Sequence, residues 1–183
     1  MVKNFRIKIF ADGADLASIK KLNLKKYISG FTTNPTLMKK AGIKDYKKFA
    51  LRVLKFVKTK PISFEVFADN LDLMKKQARE ISSWGKNVYV KIPVTNSKGI
   101  KTTSIIKSLS KEGINLNITA IFTKDQIKEI VNCLDKKTKS IISIFSGRIA
   151  DTGIDPLETI KYSLKIAKNK KIEVLWASTR ETY

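Results

Sequence analysis

The chain has 183 residues, of which 43% are hydrophobic, so it is long and apolar enough to fold as one globular domain with a core. Its net charge of +21 comes mostly from lysine, with only five arginines, which argues against specific nucleic-acid recognition but favours anionic small molecules. One cysteine excludes an intrachain disulfide, and no apolar run is long enough for a membrane span or a secretory signal. We therefore expect a cytoplasmic protein that has no membrane partner.

Seven short apolar, β-branched segments recur along the chain at a steady interval and predict strands. They begin at Phe5, Gly30, Ile62, Val88, Asn115, Ser140 and Ile172. Between them lie lysine-rich stretches with a period of about 3.6 residues, which predict amphipathic helices. Strands that alternate with helices predict a parallel α/β sheet with right-handed crossovers.

The number of these units predicts the fold class. A (β/α)8 TIM barrel has eight strands and about 250 residues. We therefore expect such a barrel with seven visible βα units, as a single domain over residues 1–183 that is truncated at its C-terminal end. The alternatives are a barrel that closes in an unusual way and an open doubly wound sheet, but the latter would gather polar residues at one switch point rather than after every strand.

Lys91 is the most informative residue, because it lies in the middle of the apolar, β-branched run 87–94. Such a lysine is forced toward the protein interior, where burial lowers the pKa of an amine. A neutral amine is a nucleophile that can form a Schiff base with a carbonyl. A lysine that snorkels into water is the alternative, so the other strands must decide.

The other strands also carry polar side chains near their carboxyl ends, spaced two residues apart so that they share one face. The set contains carboxylates able to move protons, amides and hydroxyls able to hold substrate hydroxyls, and arginines suited to phosphate. Its members are Asp12, Thr32, Asn34, Glu65, Lys91, Asn117, Thr119, Ser143, Phe145, Arg148, Ser178 and Arg180. On the seventh strand, Trp176 is predicted to share this face with Ser178 and Arg180. Any one of these residues could simply face solvent at a strand end, but seven strands together indicate a common site.

The same segments resemble the transaldolase family of class I Schiff-base enzymes, especially its small subfamily with fructose-6-phosphate aldolase. The matching stretches are IFADGAD, GFTTNPTL, VYVKIPVT, GINLNITAIFT, SIFSGRIADTGIDP and LWASTRE, which cover nearly the whole chain in order. The resemblance implies a (β/α)8 fold and transfer of a dihydroxyacetone unit between sugar phosphates in the pentose phosphate pathway. It implies no metal or organic cofactor, because the lysine itself is the electron sink.

The resemblance also implies a role for each matching residue. It makes Lys91 the imine lysine and Asp12 the acid–base aspartate, while Glu65 and Thr119 place a catalytic water. Further residues hold substrate: Asn34, Asn117 and Ser178 on the dihydroxyacetone part, Arg148 and Arg180 on phosphate, and Thr32, Ser143 and Phe145 beside them. The partners are therefore sugar phosphates, with no specific nucleic acid, and homo-oligomerisation stays open.

Two positions bear on which reaction is catalysed. Glu65 and Phe145 resemble the transaldolases, whereas the aldolases carry glutamine and tyrosine there. We therefore predict a transaldolase that uses fructose 6-phosphate or sedoheptulose 7-phosphate as donor and an aldose phosphate as acceptor. The alternatives are a fructose-6-phosphate aldolase that releases free dihydroxyacetone, and a non-catalytic basic binding protein on a degenerate barrel.

Overall fold

The computed structural model describes residues 6–168 and 170–180, which contain seven strands and eight α-helices. The strands are β1 (Ile9–Asp12), β2 (Ile28–Thr32), β3 (Ile62–Glu65), β4 (Val88–Pro93), β5 (Leu116–Ile121), β6 (Ser140–Ile144) and β7 (Ile172–Trp176). The helices are α1 (Leu16–Asn23), α2 (Pro35–Lys40), α3 (Tyr46–Leu54), α4 (Leu71–Ser82), α5 (Thr103–Lys111), α6 (Lys124–Cys133), α7 (Ser146–Asp151) and α8 (Leu157–Ala167). The predicted start of the first strand, Phe5, lies outside the described residues.

The strands form one parallel sheet whose spatial order follows the chain, from β1 at one edge to β7 at the other. This order excludes a doubly wound sheet, in which the strand order reverses at a switch point. Lys8, just before β1, forms an ion pair with Glu173 of β7, so the sheet curls until its two edges approach each other. The predicted TIM-barrel-like fold with seven βα units is confirmed.

Side-chain caps explain where five of the helices begin. The side chains of Asp15, Asn34, Asp45, Asn70 and Thr123 each accept a hydrogen bond from a backbone N–H in the first turn of the following helix. Each cap of this kind stabilises a helix by about 1 kcal/mol, because it satisfies a donor that has no partner within the helix. The caps therefore fix where these five helices begin.

The hydrophobic core lies between the outer face of the sheet and the helices. Val90 pairs with Leu116 and Ile92 pairs with Ile118 in the register of neighbouring strands, and all four are fully buried. Since side chains alternate along a strand, the intervening residue Lys91 must point to the inner face of the curled sheet. No helix in residues 6–168 and 170–180 is long and apolar enough to cross a membrane.

The seventh strand corrects one prediction. The register pairs Ser143 with Leu175 and Ile144 with Trp176. Because paired residues of parallel strands share a face, Leu175 rather than Trp176 lies on the face of Ser143, and the placement of Trp176 was wrong. The prediction assumed extended backbone through residue 180, but Ser178 has a φ of 57°, which breaks the two-residue period.

Candidate active site

Strand register brings the predicted lysine and carboxylate side by side at the carboxyl ends of the strands. Lys91 pairs with Glu65 of β3 on one side and with Asn117 of β5 on the other. Two residues further along, Pro93 of β4 pairs with Thr119 of β5. Because register partners in parallel strands face the same way, these side chains converge on one mouth of the curled sheet.

A buried ion pair lies at the centre of this mouth. The Lys91 Nζ is 3.3 Å from a Glu65 carboxylate oxygen, and Lys91 is only 9% exposed. The same Nζ donates to the backbone carbonyl of Thr33 at 3.5 Å. Burial raises the pKa of the Glu65 carboxyl above its ordinary value, although the nearby lysine opposes this shift and Asp12 adds to it. A largely buried carboxyl of raised pKa therefore contacts the buried side chain of Lys91.

Asp12 ends β1 on the same rim. Its carboxylate accepts a 2.7 Å hydrogen bond from the hydroxyl of Thr32, its register partner on β2. Its charge contributes to the raised pKa of Glu65, so the two carboxylates act on each other. Asp12 itself is exposed, so it is accessible from the mouth while Thr32 fixes its orientation.

A hydrogen-bonded chain of three side chains crosses the inner face beside Lys91. The amide of Asn117 donates to the Ser63 hydroxyl at 2.9 Å, and its oxygen accepts from the Ser143 hydroxyl at 2.7 Å. Asn117 is fully buried, and the two serines are each 1% exposed. These two hydrogen bonds link β3, β5 and β6. Ser63 was missed as a site residue, although its spacing of two from Glu65 already placed it on the same face.

Thr119 offers an unused hydroxyl in this mouth. Its Oγ1 is buried and has no hydrogen-bond partner among the described residues. The next residue, Ala120, has a φ of 58°, and the pairing of β5 with β6 is irregular at this point. A left-handed conformation costs a residue other than glycine about 1–2 kcal/mol. Strain of this kind often accompanies a functional site, and here it lies next to a hydroxyl that is available to a water or a substrate.

The two predicted arginines both act on Asp151, the last residue of α7, and Arg148 itself lies within that helix. Arg180 donates to both carboxylate oxygens of Asp151 and to the backbone carbonyl and hydroxyl of Ser178. Arg180 and, more weakly, Arg148 lower the pKa of the Asp151 carboxyl below its ordinary value. Asp151 was missed by the sequence analysis, because its pairing depends on how the segment after β7 folds back.

Gly147 permits this close packing. A methyl group at this position would collide with the backbone carbonyl oxygen of Ser178 and press against the Arg180 side chain. Nearby, the ring of Phe145 packs edge-on against Phe122 and lies under the Arg148 guanidinium. The absence of a side chain at Gly147 thus allows the segment after β7 to lie directly on the first turn of α7.

Contacts within the structure connect most of the twelve predicted residues in three groups and leave one separate. Asp12, Thr32, Glu65 and Lys91 form the first group; Asn117 and Ser143 form the second; Phe145, Arg148, Ser178 and Arg180 form the third. Thr119 lies two residues after Asn117 on β5 and pairs in register with Pro93, two residues after Lys91, so it connects the first two groups. Asn34 instead caps α2, with its side-chain oxygen accepting from the Leu37 N–H at 3.0 Å, so only its amide NH2 is free to bind substrate.

Within the described part of the chain, no group of three or more histidine, cysteine, aspartate or glutamate side chains could hold a metal ion.

Comparison with known proteins shows the family of the chain. The model of the transaldolase/fructose-6-phosphate aldolase family matches residues 9–183. The chain belongs to this family. Two relatives named "Probable transaldolase", from Dehalococcoides mccartyi and from Streptococcus pyogenes serotype M5, are each 38% identical to it. Their alignments cover 95% and 96% of this chain and 78% of each relative.

One solved structure supports the fold of this family member independently of close sequence similarity. The crystal structure of dihydrodipicolinate synthase from Rhodopseudomonas palustris superimposes with a TM-score of 0.52 at 14% identity. The match covers 91% of this chain and 68% of the other. At this identity the likeness concerns the barrel alone.

Proposed function

We propose that the protein is a transaldolase that transfers a dihydroxyacetone unit through a Schiff base on Lys91. The observation that carries the proposal is the buried contact between Lys91 and Glu65 at the carboxyl mouth. Glu65, whose pKa is raised by burial, takes a proton from the ammonium and leaves an amine able to attack a ketose carbonyl. Loss of water from the adduct then gives a protonated imine.

Asp12 is positioned to act in the cleavage step. Its carboxylate, oriented by Thr32, removes the proton from the C4 hydroxyl of the bound ketose. The electrons of the C3–C4 bond move into the imine and give an enamine, while an aldose phosphate leaves. In the second half-reaction, the enamine attacks the aldehyde of an acceptor aldose phosphate, Asp12 returns the proton, and water hydrolyses the new imine. The donor is fructose 6-phosphate or sedoheptulose 7-phosphate.

The remaining residues bind and orient the sugar. The unpaired hydroxyl of Thr119 and the carboxyl of Glu65 hold the water that is lost and regained at the imine carbon. The NH2 group of Asn34 and the hydroxyl of Ser178 bind dihydroxyacetone hydroxyls. The arginine pair, Arg148 and Arg180, binds the phosphate, which must share Arg180 with Asp151. Asn117 fixes the floor on which this unit lies.

Borohydride reduction in the presence of fructose 6-phosphate tests the Schiff base directly. The expected result is a dihydroxyacetone-sized mass increase on the peptide that contains Lys91, with none in the Lys91→Met variant. Lys86→Met is a matched control, since it removes a lysine near the start of the same strand and should leave the adduct in place. No adduct, or an adduct on a different lysine, would overturn the proposal.

The other activity that the family name covers gives a distinct product pattern. Incubation with fructose 6-phosphate alone should yield little free dihydroxyacetone, and adding an acceptor aldose phosphate should start turnover. Steady accumulation of free dihydroxyacetone without an acceptor would instead assign the chain as a fructose-6-phosphate aldolase. Either result keeps Lys91 as the nucleophile, so trapping and product analysis answer separate questions.

A further inference from the structure

The opposite mouth of the curled sheet, at the amino ends of the strands, contains a cavity of about 870 Å³. We call it the basic basin. Its lining includes six lysines and one carboxylate, Glu173; the lysines are Lys8, Lys58, Lys86, Lys139, Lys170 and Lys171. A smaller cavity of about 510 Å³ adjoins it, since Lys139 and Lys171 line both. Much of the positive charge that looks scattered along the sequence is therefore gathered at one place in the fold.

The alternation that builds the active site also builds the basic basin. Asn115 lies two residues before Asn117, and Lys139 lies four residues before Ser143, so each points to the same inner face as its partner. The amide of Asn87, at the start of β4, donates to the backbone carbonyls of Val57 and Lys60. This contact holds the loop that carries Lys58 against the start of β4, so the cations are placed by the barrel itself.

Several of these lysines have no ion-pair partner among residues 6–168 and 170–180. Lys8 pairs with Glu173, and Lys170 donates to the backbone carbonyl of Val131. The other four, Lys58, Lys86, Lys139 and Lys171, form no ion pair within the described part of the chain. Like charges gathered around a concavity repel one another and concentrate the field within it, so they favour a bound anion.

We propose that the basic basin binds a small metabolite carrying two or more phosphate groups, a function beyond the proposed transferase activity. The volume lies within the range of roughly 300–1,000 Å³ that is typical of small-molecule sites. Four unpaired lysines match the charge of at least two phosphates, whereas a single phosphate would leave most of them uncompensated. Neutral donors in the lining, Asn115 and Thr59, can hydrogen-bond the phosphate oxygens. The lysines surround a concavity rather than lying along an extended surface, which favours a compact ligand over a nucleic-acid strand.

The basic basin is separate from the phosphate-binding arginines. Lys86 lies in the turn that precedes β4, whereas Lys91 is the fourth residue of that strand, about 10 Å beyond its start. Occupation of the basin can therefore be measured without occupying the mouth that contains Lys91. The proposal stands whether or not the transferase activity is confirmed.

Calorimetric titration of the full chain with inorganic tripolyphosphate tests this proposal. The basin variant Lys58→Gln/Lys86→Gln/Lys139→Gln should bind at least about tenfold more weakly, because three of the opposing charges are gone. The control variant Lys20→Gln/Lys76→Gln/Lys128→Gln loses the same charge from exposed helix positions and should bind within about twofold of the parent. All the substituted side chains are exposed, and thermal unfolding of each variant verifies that it is folded.

Three outcomes would overturn the proposal. Equal weakening in both variants would mean that only the overall charge attracts the probe. Loss of binding in Arg148→Gln/Arg180→Gln, with binding retained in the basin variant, would locate the probe at the catalytic mouth. Displacement of tripolyphosphate by a single-stranded oligonucleotide far more readily than by pyrophosphate would indicate a polymer site instead.

Discussion

The two mouths of the sheet use charge in opposite ways. At the carboxyl mouth, Lys91 is buried and lies against Glu65, and the pKa of that carboxyl is raised. At the amino mouth, exposed lysines such as Lys86 and Lys139 face a cavity and have no carboxylate partner among the described residues. Desolvated opposite charges can exchange a proton, whereas hydrated like charges can only attract a counter-charge. One alternating strand pattern thus supplies reactive groups at one end and a binding surface at the other.

The largest expected difference between the mouths is catalytic. Lys91→Met should reduce dihydroxyacetone transfer by at least about a thousandfold, because it removes the nucleophile. Lys86→Met, which changes the same residue type in the same way at the amino mouth, should retain transfer within about twofold, since Lys86 lies before the start of β4 at the opposite mouth. A coupled assay with fructose 6-phosphate and an acceptor aldose phosphate measures both. Comparable activities for the two variants would mean that the two mouths do not differ in catalytic function.

The second contrast concerns stability. Asn117→Ala should lower the free energy of unfolding by about 2–4 kcal/mol, because it leaves two buried serine hydroxyls without their partner. Asn115→Ala removes the same group from the less buried residue of the same inner face and should cost below about 1 kcal/mol. Urea unfolding of both variants measures the difference. A small loss of unfolding free energy for Asn117→Ala would mean that the hydrogen bonds among Ser63, Asn117 and Ser143 do not stabilise the sheet.

The third contrast uses two glycines. Gly147→Ala should destabilise the fold by about 1–3 kcal/mol and raise the KM for phosphorylated substrates, because the added methyl displaces Ser178 and Arg180. Gly13→Ala is the matched control, since a methyl group there meets no atom within 4 Å. Thermal unfolding and steady-state kinetics check both. An unchanged KM in a destabilised Gly147→Ala variant would separate the packing of this segment from phosphate binding.

The smallest expected effect is on the pH dependence of stability. The contributions of Glu65 and Glu112 to the free energy of unfolding change with pH in opposite directions. The pKa of Glu65 is raised above its ordinary 4.5, so above pH 4.5 the folded state holds more protons than the unfolded state. The contribution of Glu65 to stability therefore falls as pH rises from 4.5 through its raised value. Glu112 is paired with Arg79, which lowers its pKa to about 2, so its contribution is lost as pH falls from 4.5 toward 2.

Unfolding free energies of the parent, Glu65→Gln and Glu112→Gln, measured across pH 2–7, reveal the two slopes as differences from the parent. The Glu112 effect should also shrink in high salt, because that ion pair is on the surface. Slopes of the same sign would contradict the distinction between a buried and an exposed carboxylate.

Much of the fold and of the inner face could be predicted from sequence because both follow from local periodicity. A two-residue period is enough to place Glu65, Lys91 and Asn117 on one face, and the register between their strands agrees. The helix starts are also local, since a capping side chain such as Thr123 lies within four residues of the group that it binds. These features need no knowledge of distant contacts.

What could not be predicted depends on distant segments or on broken periodicity. Asp151 contacts Arg180 across 29 residues, and no spacing rule connects them. Trp176 was placed on the wrong face because a left-handed residue, Ser178, follows it and ends the extended geometry. The basic basin could not be predicted, because its lysines precede different strands and only the parallel topology brings them together.

The ion pair between Lys8 and Glu173 has a consequence for the order in which the sheet can form. It joins two side chains that are 165 residues apart along the chain. The neighbouring strands of the sheet, in contrast, follow one another in sequence. Because the entropic cost of closing a loop grows with its length, contacts between successive strands are the less costly ones to form. The contact that closes the curl is therefore the least local one in the sheet, and we expect it to form after the strands have paired.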